Sequence, residues 1–101
     1  MKSNLIDIRA SSIKSDDGND KIILIPTFLV EPKDKKFVPQ VVSCWCYSDS
    51  MLGQNLRFAL VGNIMPGDHF CDVEGLGVFD VAYKYDKNKK LQRLTYCKVV
   101  E

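Results

Sequence analysis

Raw material for catalysis is scarce in this sequence, which holds one histidine, His69, among 101 residues. General acid–base and nucleophilic mechanisms need a positioned base, and strand alternation puts His69 and Cys71 on one face with Asp68 on the other. A Cys71–His69 dyad would lack Asp68 to orient it, so no catalytic role is expected: His69 reads as a surface histidine after a turn and Cys71 as a buried thiol. A phosphate-cradling loop is missing as well, because Gly75-Leu76-Gly77 has neither the later glycine nor a following helix. Long apolar runs are also absent. The longest, Ile22 to Ile25, is far too short to span a bilayer, and Met1 to Asp7 contains no apolar stretch of the signal-peptide kind. The expectation is a cytoplasmic protein that is not an enzyme and carries no cofactor.

The four cysteines, Cys44, Cys46, Cys71 and Cys97, are poorly placed for bridging. Cys44 and Cys46 flank one residue and share a strand face, so they do not pair with each other. A zinc site is not expected either, since the Cys44-x-Cys46 spacer is tighter than usual and Cys71 and Cys97 stand alone. Reduced thiols, mostly buried, are the expected state.

What is present is enough for one folded unit. Hydrophobic residues make up 46% of the chain, and no linker, repeat or low-complexity segment divides residues 1–101. The net charge is only +1, but its distribution is uneven. From Val81 to Glu101 six basic residues face two acidic ones, a net +4, whereas Met51 to Asp80 sums to −3. The low total speaks against bulk electrostatic binding of nucleic acid, while leaving a local basic patch.

Period-two alternation and turn residues organise the chain as strands. Ile6 to Ala10 alternates, and Ser15 to Asp20 is a polar turn. Ile22 to Val30 is rich in β-branched and aromatic residues, with a bulge or change of sheet expected at Pro26. After a charged turn at residues 31–36, Phe37 to Tyr47 forms the partner strand. Its alternation separates Val42, Cys44 and Cys46, which suit a core, from Val41, Ser43, Trp45 and Tyr47, which suit a half-exposed surface. Ser48-Asp49-Ser50 fits the cap of a short helix through Met51, Leu52, Asn55 and Leu56, weakened by Gly53. Leu56 to Val61 then reads as a strand. Met65 to Asp68 is a turn, His69–Val73 and Gly77–Tyr85 are β segments, residues 86–90 are a hairpin tip, and Leu91 to Val100 closes the chain.

The second half resembles single-stranded-DNA-binding OB domains, the bacterial SSB and primosomal protein B kind. Leu56-Arg57-Phe58-Ala59-Leu60-Val61-Gly62 is similar to that family's central strand. Pro66-Gly67-Asp68 and Val73-Glu74-Gly75 are similar to the beginning and end of the next. Tyr83 to Lys90 resembles the mobile hairpin, and Leu94 to Val100 the last strand. The resemblance implies an all-β, five- to six-stranded OB-like barrel with little or no helix. The usual helix between the third and fourth strands would be reduced to Asn63-Ile64-Met65. The acidic recruiting tail of that family is a second departure, and with it missing the expectation is a minimal form of the sort a mobile element or phage uses in DNA replication.

Single strands bind where bases stack on aromatic rings while Lys and Arg track the phosphates. Trp45 and Tyr47 share one strand face, and Tyr83 and Tyr85 share another at the root of a hairpin carrying Lys87, Lys89 and Lys90. Lys84 and Arg93 flank that hairpin, and Arg57 is a cation on the expected central strand. The expected partner is therefore single-stranded DNA, with RNA as an alternative. Two plainer readings stand beside it. Tyr83 and Tyr85 also suit a continuation of the Phe79–Val81 core face, with the lysines solvating a turn. The barrel also suits an adaptor that pairs with a protein or with itself, as a homodimer through strand edges.

Overall fold

The computed structural model describes residues 2–32, 34, 36, 38–60, 64–72, 74–87 and 91–100. Among these are six strands and a short helix: β1 (Lys2–Lys14), β2 (Asp20–Val30), β3 (Gln40–Tyr47), α1 (Met51–Ala59), β4 (His69–Cys71), β5 (Gly77–Asp86) and β6 (Leu91–Val99). Strands run β2-β3-β6-β5-β1 with β1 returning to β2, so the sheet closes on itself as a small β-barrel. β4 lies beside β1 next to β5. All pairings are antiparallel except β3 with β6, which run parallel at Cys44–Gln92 and Trp45–Arg93.

The first hairpin is tied at its tip. Ser15 N–H donates to the Asn19 carbonyl at 3.0 Å, Gly18 takes φ 82°, and the Asp17 carboxylate accepts from the Ser15 hydroxyl and the Asn19 N–H. Those hydrogen bonds, the Ser15 hydroxyl first, hold the Asp17 carboxyl below its ordinary pKa. The irregularity expected at Pro26 falls on the neighbouring strand instead. β2 runs unbroken through Pro26, while the register of β1 shifts between Leu5 and Asp7. With the extra residue, Leu5 and Ile8 both point inward. They meet Leu24, Phe28, Cys44, Phe79, Val81 and Leu94, with Phe28 and Phe79 edge to face at 6.1 Å. A second shift, between Ala82 and Tyr83, explains why Leu94 and Cys97, three residues apart on β6, both reach this core.

The segment from Leu56 is a correction. Leu56 to Ala59 are the second half of α1, with Leu60 as its C-cap, rather than a strand; Val61 lies outside the described residues. The Ser50 hydroxyl accepts the Gly53 N–H at 3.2 Å and donates to the Tyr47 carbonyl at 2.6 Å, so the helix starts directly off β3. Gly53 permits that start, because a Cβ there would collide with the Tyr47 and Ser48 carbonyls. Leu56 enters the core and the Asn55 amide donates to the Cys97 carbonyl at 2.8 Å. Tertiary packing on β6 thus outweighs the strand-like composition of this stretch. The helix also occupies the link between β3 and β4, where the resemblance put only Asn63-Ile64-Met65. Ile64 and Met65 are non-helical, and Asn63 lies outside the described residues.

All four cysteines are free. Cys44, Cys46 and Cys97 are buried, but Cys71 is exposed, against the expectation of a buried thiol there. Burial pushes the thiols of Cys44, Cys46 and Cys97 up to about 12, so at pH 8 only roughly one part in ten thousand of each is thiolate. The expected outcome with iodoacetamide on folded protein at pH 8 is one fast-reacting thiol, mapping to Cys71 by mass spectrometry. The other three should react on unfolding. Fast labelling of Cys44 or Cys97 in the folded state would refute this packing.

Candidate nucleic-acid interface

Strand alternation gives the barrel an outer face as well as a core. Arg9 pairs with Ile25 across β1 and β2. The register that sets Ile23 against Tyr47 and Thr27 against Ser43 puts Ile25 opposite Trp45. Trp45 pairs with Arg93, and Arg93 with Lys84. One row thus crosses five strands: Arg9, Ile25, Trp45, Arg93, Lys84. Its centre is apolar and aromatic, and its ends are cationic.

Trp45 sits on this outer side, apart from the core cluster, yet it is only 3% exposed. The expectation of a half-exposed indole is corrected here. The Arg93 guanidinium lies over the ring at 5.3 Å from its centroid, and Tyr47 meets it edge-on at 5.2 Å and 88°. Arg93 itself is exposed, covering apolar surface with a cation whose outer plane faces water. Ile23, 5% exposed and paired with Tyr47 across β2 and β3, also lies outside the core cluster.

Tyr83 and Tyr85 part company. Tyr83 is half-buried against the core, as the plainer reading had it, and burial, reinforced by the nearby Cys44 thiol, holds its phenol above its ordinary pKa. Tyr85 is 60% exposed. It lines a groove with Leu91 and Gln92 on one side and Val41, Val42 and Ser43 on the other, where β3 parts from the hairpin. Lys84 and Lys87 are exposed near it; Lys89 and Lys90 lie outside the described residues.

Arg57 does not join this surface. It lies on α1, not on a central strand, and shares a groove with Asp17, Asn19, Asp20, Lys21, Ser48 and Asp49. That groove is at the Ser48 end of β3, whereas the Tyr85 groove begins at Ser43, about 16 Å away along the strand. Its three carboxylates outnumber its two cations, Lys21 and Arg57, which leaves it a poorer phosphate site than the Arg93–Lys84 edge. Arg9, by contrast, was not singled out from sequence. Its outward position between Ile8 and Ala10 was readable from alternation, but its place beside Ile25 and the Trp45 row depends on strand order.

Comparison with known proteins adds no relative: no family model, curated protein or solved structure matches this chain. Replacing Arg93 with Ala should uncover Trp45, raising its quenching by acrylamide and costing about 1 kcal/mol of stability in urea unfolding. Unchanged quenching would show that something other than Arg93 shields the indole.

Proposed function

We propose that the chain binds single-stranded nucleic acid, DNA foremost, on the outer face of β2, β3 and β6, without catalysing a reaction on it. The observation that carries this reading is Arg93 lying over Trp45, on the outside of the barrel and beside the open Tyr85 groove. A base stacks on the exposed guanidinium plane or, once Arg93 swings to a phosphate, on the indole beneath it. Lys84 stands directly opposite Arg93, a like-charge pair whose repulsion a phosphate between them offsets. Arg9 and Lys87 extend the positive edge on either side. The resemblance to single-stranded-DNA-binding OB domains supports the same reading, in a mobile element's or phage's DNA replication. Four free thiols suit a reducing cytoplasm. No helix among the described residues is long and apolar enough to cross a membrane.

Titration with oligo(dT) at two salt concentrations tests the proposal. Trp45 emission should change on binding, and the affinity should fall with salt at a log–log slope of about −2 to −3, as expected for a few released counterions. Arg93→Ala should weaken binding roughly tenfold or more, and Arg57→Ala should leave it unchanged. No binding by folded protein at low salt, or equal binding to duplex, would overturn the assignment.

A second reading, self-association, has its own observation. Phe58 is 91% exposed on α1 and lines a groove with Asn55, Lys98 and Val99, with Tyr96 45% exposed on the same strand as Val99. Sedimentation should show a dimer that Phe58→Glu dissociates. A wild-type monomer at all concentrations would remove this reading.

A further inference from the structure

We propose that Asp7, His69 and Cys71 form a binding site for a divalent transition-metal ion of the zinc type on the outer face of β1 and β4. Sequence spacing brings only two of the three together: His69 and Cys71 share a three-residue strand far along the chain, whereas Asp7 lies on the first strand. The antiparallel pairing of β1 with β4 sets Asp7 against Cys71 and Arg9 against His69. The register shift before Asp7 turns that residue outward, because Leu5 and Ile8 on either side both enter the core. One carboxylate oxygen, one imidazole nitrogen and one sulfur then lie within 4.8 Å of one another. His69 Nε2 is already in contact with the Asp7 carboxylate.

Three properties favour a metal ion over a chance surface cluster. The first is the donor set. Imidazole and thiolate together select zinc-like ions over magnesium or calcium, and a single carboxylate completes three protein ligands with a fourth position for water. The second is geometry. Tetrahedral zinc holds O, N and S donors with edges of roughly 3.3–3.8 Å. The present spread needs only a rotation of Cys71 or His69, both exposed. The third is the backbone, since the ligands stand on paired strands rather than on a loop. Hydrogen bonds from Ala10 N–H to the Asp68 carbonyl and from Asp72 N–H to the Ile6 carbonyl bracket β4 at 3.2 and 3.0 Å. Nearby Asp72 accepts from the Glu74 N–H at 2.9 Å and belongs to its own turn. Arg9, opposite His69, opposes a cation, but the carboxylate and thiolate supply two negative charges against it.

This site does not rest on the nucleic-acid reading. The test uses the full chain with Co²⁺ as a spectroscopic probe, followed by Zn²⁺. One equivalent of Co²⁺ should give a thiolate-to-cobalt charge-transfer band that excess Zn²⁺ abolishes. Cys71→Ser should remove the band, and His69→Ala should weaken binding roughly tenfold or more, each with unchanged circular dichroism. Zn²⁺ should also slow alkylation of Cys71 in the wild-type protein, a readout that needs no variant. The proposal is overturned if folded wild-type protein gives no band, if the band survives Cys71→Ser, or if the ion titrates at one per two chains.

Discussion

The barrel depends on a first strand that is hydrogen-bonded along both edges. β1 carries β2 along one edge, and on the other it carries β5 from Lys2 to Leu5 and then β4 from Asp7 to Arg9. A regular strand of this length would send alternate residues to the core throughout. The shift between Leu5 and Asp7 breaks that period once, at the point where the second edge changes partner. Leu5 and Ile8 therefore both fill the interior, and Asp7 and Arg9 both face out. Closure of the ring and the charged outer surface arise from the same irregularity.

The other unusual energetic feature is the burial of apolar side chains on the outside. Trp45 and Ile23 are as shielded as core residues but lie outside the core cluster, and Trp45 is roofed by a guanidinium and met by an aromatic edge. Roofing an indole with a cation keeps a large ring out of water without a second layer of protein.

Much of the architecture was legible. Alternation around Ile22–Val30, Val41–Tyr47 and Gly77–Tyr85, with polar turns between, located most of the strands, and Ser48-Asp49-Ser50 marked the helix cap. Leu56 to Leu60 misled because a short apolar run satisfies a buried strand and the inner side of a helix equally well. What decided it was the docking of Asn55 and Leu56 on β6, made possible by the close start that Gly53 allows. The aromatics divided in the same way. Tyr83 and Tyr85 share a face by period, yet one packs on the core and the other lines a groove, because the barrel ends between them.

From the sequence alone follow the β class, the cap at Ser50 and the division of β3 into an inner and an outer face. These rest on local chemistry: side-chain alternation, turn propensity and hydroxyl capping act over a few residues. Tertiary structure alone decided that Arg93 roofs Trp45, that Arg57 stands among carboxylates, and that Asp7 meets His69 and Cys71. Each of those contacts is set by which strand lies beside which and in what register. That choice is made by closing the whole sheet around its core, and no short stretch of chain contains it.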